Sequence, residues 1–386
     1  MKYLIEFFCL VALTVIESNA TAGDRPWMTP TCAIRGCPQH LQIQLGRTLF
    51  VSEAIAPNGR SCATCHEPAY GWGASSSTRD KFAELPRSIP SLMNLAHQRW
   101  YFWDGRSDRL WQQALGPLEN TVEMDSHRLY LVAAIFTDAR LRRMAVEAGI
   151  LRTTLFQQRG LRDSLLRARQ FCTSTTTCEL HWKSVSGTER LQIERIARNA
   201  LEALEAFLLT LLSPHTRYDE FIATGQGLSP AEARGMKLFF GEARCSNCHS
   251  GPALTDNGFH NLLLPAPSGR SREDPGRYAG IEHLRRIAAT GYLGYKPTEL
   301  SAHLDQNYGT YGQFKTPSIR NLSGRAEFMH NGIFRSLRDV LNYYNTLAGA
   351  LVVHHHPNGM LSPLNMREDQ IDDLEHFLNV FNRREK

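Results

Sequence analysis

Between residues 193 and 211 the apolar positions fall at steps of three and four: Ile193, Ile196, Ala197, Ala200, Leu201, Leu204, Phe207, Leu208 and Leu211. That spacing draws one stripe along a helix, and Ser213-Pro214 stops it. A long packed helix is predicted, with a domain boundary just after it. A second stripe, Ile371, Leu374, Phe377, Leu378 and Phe381, predicts a closing helix. A third helix is announced by Ser229, Pro230 and Glu232 at the N-cap, N1 and N3 positions, where they satisfy its first unpaired amides. Alternating strand patterns are scarce, so the fold class is expected to be mainly α with long irregular loops. The run from Phe7 to Ile16, after Lys2 and before Ser18-Asn19-Ala20, predicts a secretory signal over residues 1–20. No other stretch approaches the ~18 apolar residues of a membrane span, and none is expected in the mature chain.

The pattern is also duplicated. Gly46-Arg47-Thr48-Leu49-Phe50 is echoed by Gly235-Met236-Lys237-Leu238-Phe239, and Pro90-Ser91-Leu92-Met93-Asn94-Leu95 by Pro317-Ser318-Ile319-Arg320-Asn321-Leu322. Fifteen residues after each of these prolines stands a glycine, Gly105 or Gly332, and five further on a leucine, Leu110 or Leu337. Two copies of one unit are predicted, 21–215 and 216–386, with an insertion of about 151–187 in the first.

Chemistry enters with the cysteines. Cys62-Ala63-Thr64-Cys65-His66 and Cys245-Ser246-Asn247-Cys248-His249 both read C-x-x-C-H, the spacing at which two thiols add to the vinyl groups of a haem while the next imidazole ligates the iron. A disulfide would leave the following histidine unexplained, and a zinc site would want closer partners. Two covalently bound haem c groups are expected, each in a cytochrome c-like domain, with His66 and His249 as iron ligands. Haem attachment and an export signal both place the protein in the periplasm. Of the 9 cysteines, Cys9 leaves with the signal and four hold haem, so Cys32, Cys37, Cys172 and Cys178 remain. They suggest two disulfides, most simply Cys32 to Cys37 and Cys172 to Cys178, although three connectivities exist. The formal charge of +5 is partly offset by haem propionates, and Lys and Arg are scattered, so nucleic acid is not an expected partner.

Aligning the two copies makes the haem sites unequal. Pro117 falls against Tyr344, Gln113 against Val340 and Glu123 against Ala350. Tyrosine can ligate iron and proline cannot, so Tyr344 is expected to close the second site and Pro117 to leave the first open to peroxide. Peroxide cleavage needs a group that moves a proton from the near oxygen to the leaving oxygen, a role for Glu123, with Gln113 holding the peroxide. Trp103 sits in the segment expected near both haems and is a candidate for carrying electrons between them. Met329 and Tyr343 are the rivals to Tyr344. His97 and His260 are expected to support the haem surroundings, and His354-His355-His356 to form a solvated loop.

The two C-x-x-C-H motifs, Tyr101-Phe102-Trp103-Asp104-Gly105-Arg106, Gln113 to Asn120 with Glu123, and Phe314 to Asn321 followed by His330-Asn331-Gly332 together resemble the bacterial di-haem cytochrome c peroxidase family, including its MauG branch. The resemblance spans roughly residues 38 to 381. It implies a high-spin peroxidatic first haem and a low-spin second haem, with Gln113, Pro117 and Glu123 distal and Trp103 between. Classical members carry a distal histidine after the first haem motif and a methionine at the second haem. Here no histidine lies between His66 and His97, and Tyr344 takes the methionine's position, both as in MauG. A surface tryptophan that MauG uses toward its partner falls on Ala243. The family's inter-domain calcium would meet Ser88 in place of an asparagine, with the carbonyls of Arg325 and Glu327 as remaining donors. The expected function is a periplasmic di-haem peroxidase that cleaves hydrogen peroxide and oxidises a redox partner protein or a small donor. The alternatives are a classical peroxidase fed by a small c-type cytochrome, and a non-catalytic di-haem electron carrier.

Overall fold

The computed structural model describes residues 38–265, 274–351 and 361–382. The expected signal, Cys32, Cys37 and His354 to His356 lie outside them. The helices, in chain order, are α1 (Pro38–Val51), α2 (Ser76–Lys81), α3 (Leu110–Glu119), α4 (Arg128–Thr137), α5 (Ala139–Glu147), α6 (Arg159–Phe171), α7 (Thr175–Ser184), α8 (Gly187–Leu208), α9 (Arg217–Thr224), α10 (Pro230–Phe240), α11 (Arg277–Thr290), α12 (Leu337–Thr346) and α13 (Glu368–Asn379). Two-residue strands β1 (Phe259–His260) and β2 (Phe314–Lys315) pair antiparallel, Phe259 opposite Lys315. The mainly α expectation holds.

The predicted helices form for the predicted reasons. Ser229 caps α10 and Glu232 returns the bond, its carboxylate accepting from the Ser229 amide at 2.7 Å. α8 carries the long stripe, opened by a Ser186 and Glu189 capping box. It ends at Leu208, and Leu211 remains buried in the turn beyond. In contrast, α4 is buried on every side from Arg128 to Phe136, so it offers no one-sided stripe for sequence reading to find.

The echoed stretches pack alike. In α1, a side chain on Gly46 would meet the Ala203 carbonyl of α8 at 1.9 Å; in α10, one on Gly235 would meet the Asp373 carbonyl of α13 at 1.9 Å. Glycine therefore lets each helix that leads into a C-x-x-C-H motif lie against the last helix of its half. Phe50 and Phe239, four residues on, are both almost wholly buried. Backbone details repeat as well. Asn94 and Asn321 both take the left-handed conformation, as do Phe102 and Met329, and isolated bridges join Tyr101 to Ser107 and Phe328 to Phe334.

Two apolar cores result, one around α1, α3, α4, α6 and α8, the other around α10, α12 and α13. The first core also takes in Leu284, Ile287, Leu293 and Tyr295 from the second half. The inserted segment is helical, since α6 and α7 fill most of it, and Leu161, Leu165 and Ala168 seat α6 in the first core. The Cys172 to Cys178 disulfide expected from the sequence is not formed. Both cysteines are buried side by side at the turn from α6 to α7, with no bond between them.

The helix contact at Gly235 yields a stability prediction. Gly235→Ala should cost about 1–3 kcal/mol through overpacking, because the obstructing atom is backbone. Gly187→Ala, with open space around it, should leave the melting temperature unchanged. Thermal denaturation followed by far-UV circular dichroism checks both.

Candidate functional site

Each C-x-x-C-H motif forms a single 3-10 turn, Cys62–Thr64 and Cys245–Asn247, followed by its histidine. The turns are closed by His66 and His249 amides donating to the Cys62 and Cys245 carbonyls, at 3.0 and 2.8 Å. Both cysteines and the histidine thus face one side. The His66 Nδ1 lies 3.0 Å from the Trp72 carbonyl, and the His249 Nδ1 lies 3.1 Å from the Leu254 carbonyl. A carbonyl only accepts, so each Nδ1 carries the proton and each Nε2 is left with a lone pair. Trp72 and Leu254 both adopt positive φ, 59° and 51°, which turns these carbonyls inward. Burial pushes the His66 pKa down to about 4 and lowers that of His249, so both rings are neutral. Paired thiols with a neutral imidazole lone pair beside a cavity are the donor set that haem c requires, and the residues fit the group.

The open side of the His66 cavity is lined by Gln113, Ala114 and Pro117 from α3 and by Glu123 and Met124 from the loop that follows. The structure thereby brings together Cys62, Cys65, His66, Gln113, Pro117 and Glu123. Gln113 and Pro117 stand one turn apart on α3, and Pro117 interrupts its hydrogen bonding. Glu123 is half-buried, and burial raises its carboxyl above the ordinary carboxylate pKa, against the pull of Arg106 and of the Asn120 amide at 2.9 Å. A carboxyl in that condition can both accept and return a proton.

Sequence reading missed what holds Glu123 in place. Arg60, two residues before the first motif, donates to the Val122 and Glu123 carbonyls, both at 2.6 Å. From the inserted segment, the Thr175 hydroxyl donates to the Ser126 carbonyl and the Thr175 amide to the Asp125 carboxylate, both at 2.9 Å. Glu119, at the end of α3, accepts from Arg128 at 2.8 Å and from the Tyr292 hydroxyl at 2.5 Å. The insertion and the second half therefore brace the loop, through contacts that only the tertiary fold creates.

The second cavity is larger and is lined by Cys245, Cys248 and His249 together with Val340, Leu341 and Tyr344 of α12. Tyr344 faces it. Tyr343 turns away and donates to the Leu262 carbonyl at 2.6 Å. Met329, the other rival, also lines the cavity. Burial raises the Tyr344 pKa, so its phenol needs a cation beside it to ionise. Ala243 is buried against the same cavity, with no aromatic ring. His260 pairs with Asp256 at 2.7 Å at the rim, and the His97 carbonyl accepts from Asn257 at 3.3 Å.

Trp103 stands between. Its ring lines the His249 cavity and also a smaller cleft bordered by Leu92, Tyr101 and Gln113; Leu92 and Gln113 belong to the His66 cavity as well. The indole Nε1 donates to the Ser88 carbonyl at 2.9 Å, and the Trp103 carbonyl accepts from the Lys315 amide at 2.7 Å. Gly105 packs where a side chain would strike Phe259, which seats the Trp103 segment on β1 of the second half.

The chain is similar to known proteins. Residues 40–159 match the family model described as di-haem cytochrome c peroxidase. The methylamine utilization protein MauG of Paracoccus denitrificans is 30% identical over 333 residues, covering 78% of this chain and 73% of that protein. The cytochrome-c peroxidase IdrP2 of a Pseudomonas species is 24% identical, covering 95% of this chain and 88% of its own length. Among solved structures, the diheme peroxidase BthA from Burkholderia thailandensis superposes with a TM-score of 0.63 at 22% identity, over 92% of this chain and 88% of that one, a likeness of fold. No helix among the described residues is long and apolar enough to cross a membrane. With a relative at 30% identity over most of both chains, the protein is an enzyme that belongs to the di-haem cytochrome c peroxidase family, on its MauG-like side.

Proposed function

We propose that the protein is a periplasmic peroxidase with two covalent haem c groups, one on Cys62 and Cys65 with His66 as ligand, the other on Cys245 and Cys248 with His249. Hydrogen peroxide reacts in the His66 cavity, Tyr344 ligates the second iron, and the electrons come from a partner protein or small donor, as the MauG-like relatives suggest. The observation that carries this is the inequality of the open sides: Gln113, Pro117 and Glu123 at one histidine, Tyr344 at the other.

Haem, when bound, supplies the iron that exchanges electrons with peroxide. The residues supply position and protons. The Gln113 amide holds the peroxide by hydrogen bonding, and Pro117, having no donor or ligand atom in its side chain, leaves room beside it. Glu123 takes the proton from the near oxygen and gives it to the far one, so that the O–O bond breaks with water as leaving group. With two electrons and two protons from outside, each peroxide becomes two waters. Trp103, in contact with the junction of both cavities, lies on the electron route. A second reading, a small c-type cytochrome as donor, is favoured by the relatives named cytochrome-c peroxidase that cover most of the chain. Consumption of reduced c-type cytochrome with peroxide distinguishes it.

Glu123→Gln should slow peroxide cleavage by about 10²–10⁴-fold, the usual worth of a proton-transfer group, with haem content unchanged; stopped-flow absorbance measures this. Because burial raises the Glu123 pKa, the carboxylate form is lost on acidification earlier than for an exposed glutamate. The rate should therefore fall on the acid side with a midpoint above the ordinary value of about 4.3, and that limb should vanish in Glu123→Gln. Thr175→Val removes one neutral hydrogen bond from the loop, worth about 1 kcal/mol; it should slow cleavage far less than Glu123→Gln and keep the limb. Tyr344→Met should raise the potential of the second haem, since a thioether favours the reduced metal. An unchanged redox titration would exclude Tyr344 as ligand.

A further inference from the structure

The family's calcium is tested by the residues that would hold it, and they do not suit a hard cation that needs six to eight oxygens. At the position of the asparagine ligand, the Ser88 hydroxyl donates to the Met329 carbonyl at 2.8 Å and its own carbonyl is taken by Trp103. The other expected donors are the backbone carbonyls of Arg325 and Glu327, and the Glu327 carboxylate, held by Arg79 at 2.7 Å, adds no charge to them. The side chain of Arg325 also brings a positive charge there, which opposes a divalent cation. Arg325 borders both the His249 cavity and the cleft beside Trp103, and its guanidinium meets only carbonyls, those of Asn321 at 3.3 Å and Arg320 at 3.5 Å. A second cation, Lys315, borders the same two spaces; it is 93% buried, and its ammonium donates to the Gln98 amide oxygen at 2.8 Å.

Neither cation has a carboxylate partner among the described residues, and burial alone pushes their pKa values down, to about 10 for Arg325 and about 8 for Lys315. A charge left in such surroundings without a counter-ion is strongly disfavoured. A carboxylate placed in the wall between the two cavities would supply that counter-ion to both. Haem carries such carboxylates as its propionates, and a guanidinium accommodates one with two parallel hydrogen bonds.

Building on the two haems of the proposed function, we propose that Arg325 takes the place of the inter-domain calcium and, with Lys315, holds haem propionates at the junction of the cavities, so that this enzyme needs no calcium. The charge of Arg325 is part of the chain and no chelator removes it. A fixed cation beside a propionate also favours the ferrous over the ferric state, because the ferric state carries one more positive charge.

The test uses the protein with both haems, their number established by pyridine haemochrome, which judges the proposed function separately. Metal analysis after dialysis should find no stoichiometric calcium, and EGTA followed by added calcium should leave the ferric spectrum and both potentials unchanged. Arg325→Gln should lower the potential of at least one haem in spectroelectrochemical titration, and Arg325→Lys should restore most of the shift. Stoichiometric calcium whose removal alters the ferric spectrum would overturn the proposal. So would Arg325→Gln with two haems and unaltered potentials. Should Arg325→Gln fail to load haem, the calcium analysis of the unsubstituted protein and the potentials of Arg325→Lys decide alone.

Discussion

The hydrogen bond from a histidine Nδ1 to a carbonyl, made once in each half, is the constraint on which the rest of the site depends. It fixes the tautomer, turns the Nε2 lone pair toward the cavity, and does so with the same geometry at His66 and His249. Two unrelated residues, Trp72 and Leu254, adopt the same strained backbone region to offer that carbonyl. The two histidines are held alike, and the opposite sides of their cavities differ. There α3 and α12 present different residues at matching positions.

The scaffold makes that comparison possible. Gly46 and Gly235 each let a motif-bearing helix touch the backbone of the final helix of its half, which sets the height of each C-x-x-C-H turn over its core. The halves are then joined through the Trp103 to Arg106 segment, seated against β1 and α11, and through Tyr292, which reaches back to Glu119. Motion of one half against the other would disturb the loop that carries Glu123. The site is accordingly a property of both halves, although its named residues belong to the first.

Much of this was legible in the sequence because it rests on local rules. Spacing alone identifies the C-x-x-C-H motifs, the stripe of α8 and the capping box of α10. The duplicated order of motifs places Pro117 and Tyr344 at equivalent positions, and in the structure both line the cavities. What was not legible depends on long-range contacts. Arg60, Thr175 and Tyr292 brace the Glu123 loop from positions whose sequence distance gives no hint of contact. α4 escaped notice because burial on all sides removes the amphipathic signal. Cysteine parity suggests a Cys172 to Cys178 disulfide, whereas the structure places the two side by side without a bond. Parity counts partners and carries no information on their state.

Inequality of the two centres is the central claim, and low-temperature electron paramagnetic resonance of the resting ferric protein tests it most directly. One high-spin signal from an open haem and one low-spin signal from a closed haem, in equal amounts, is the predicted result. Two low-spin, six-coordinate haems would contradict it.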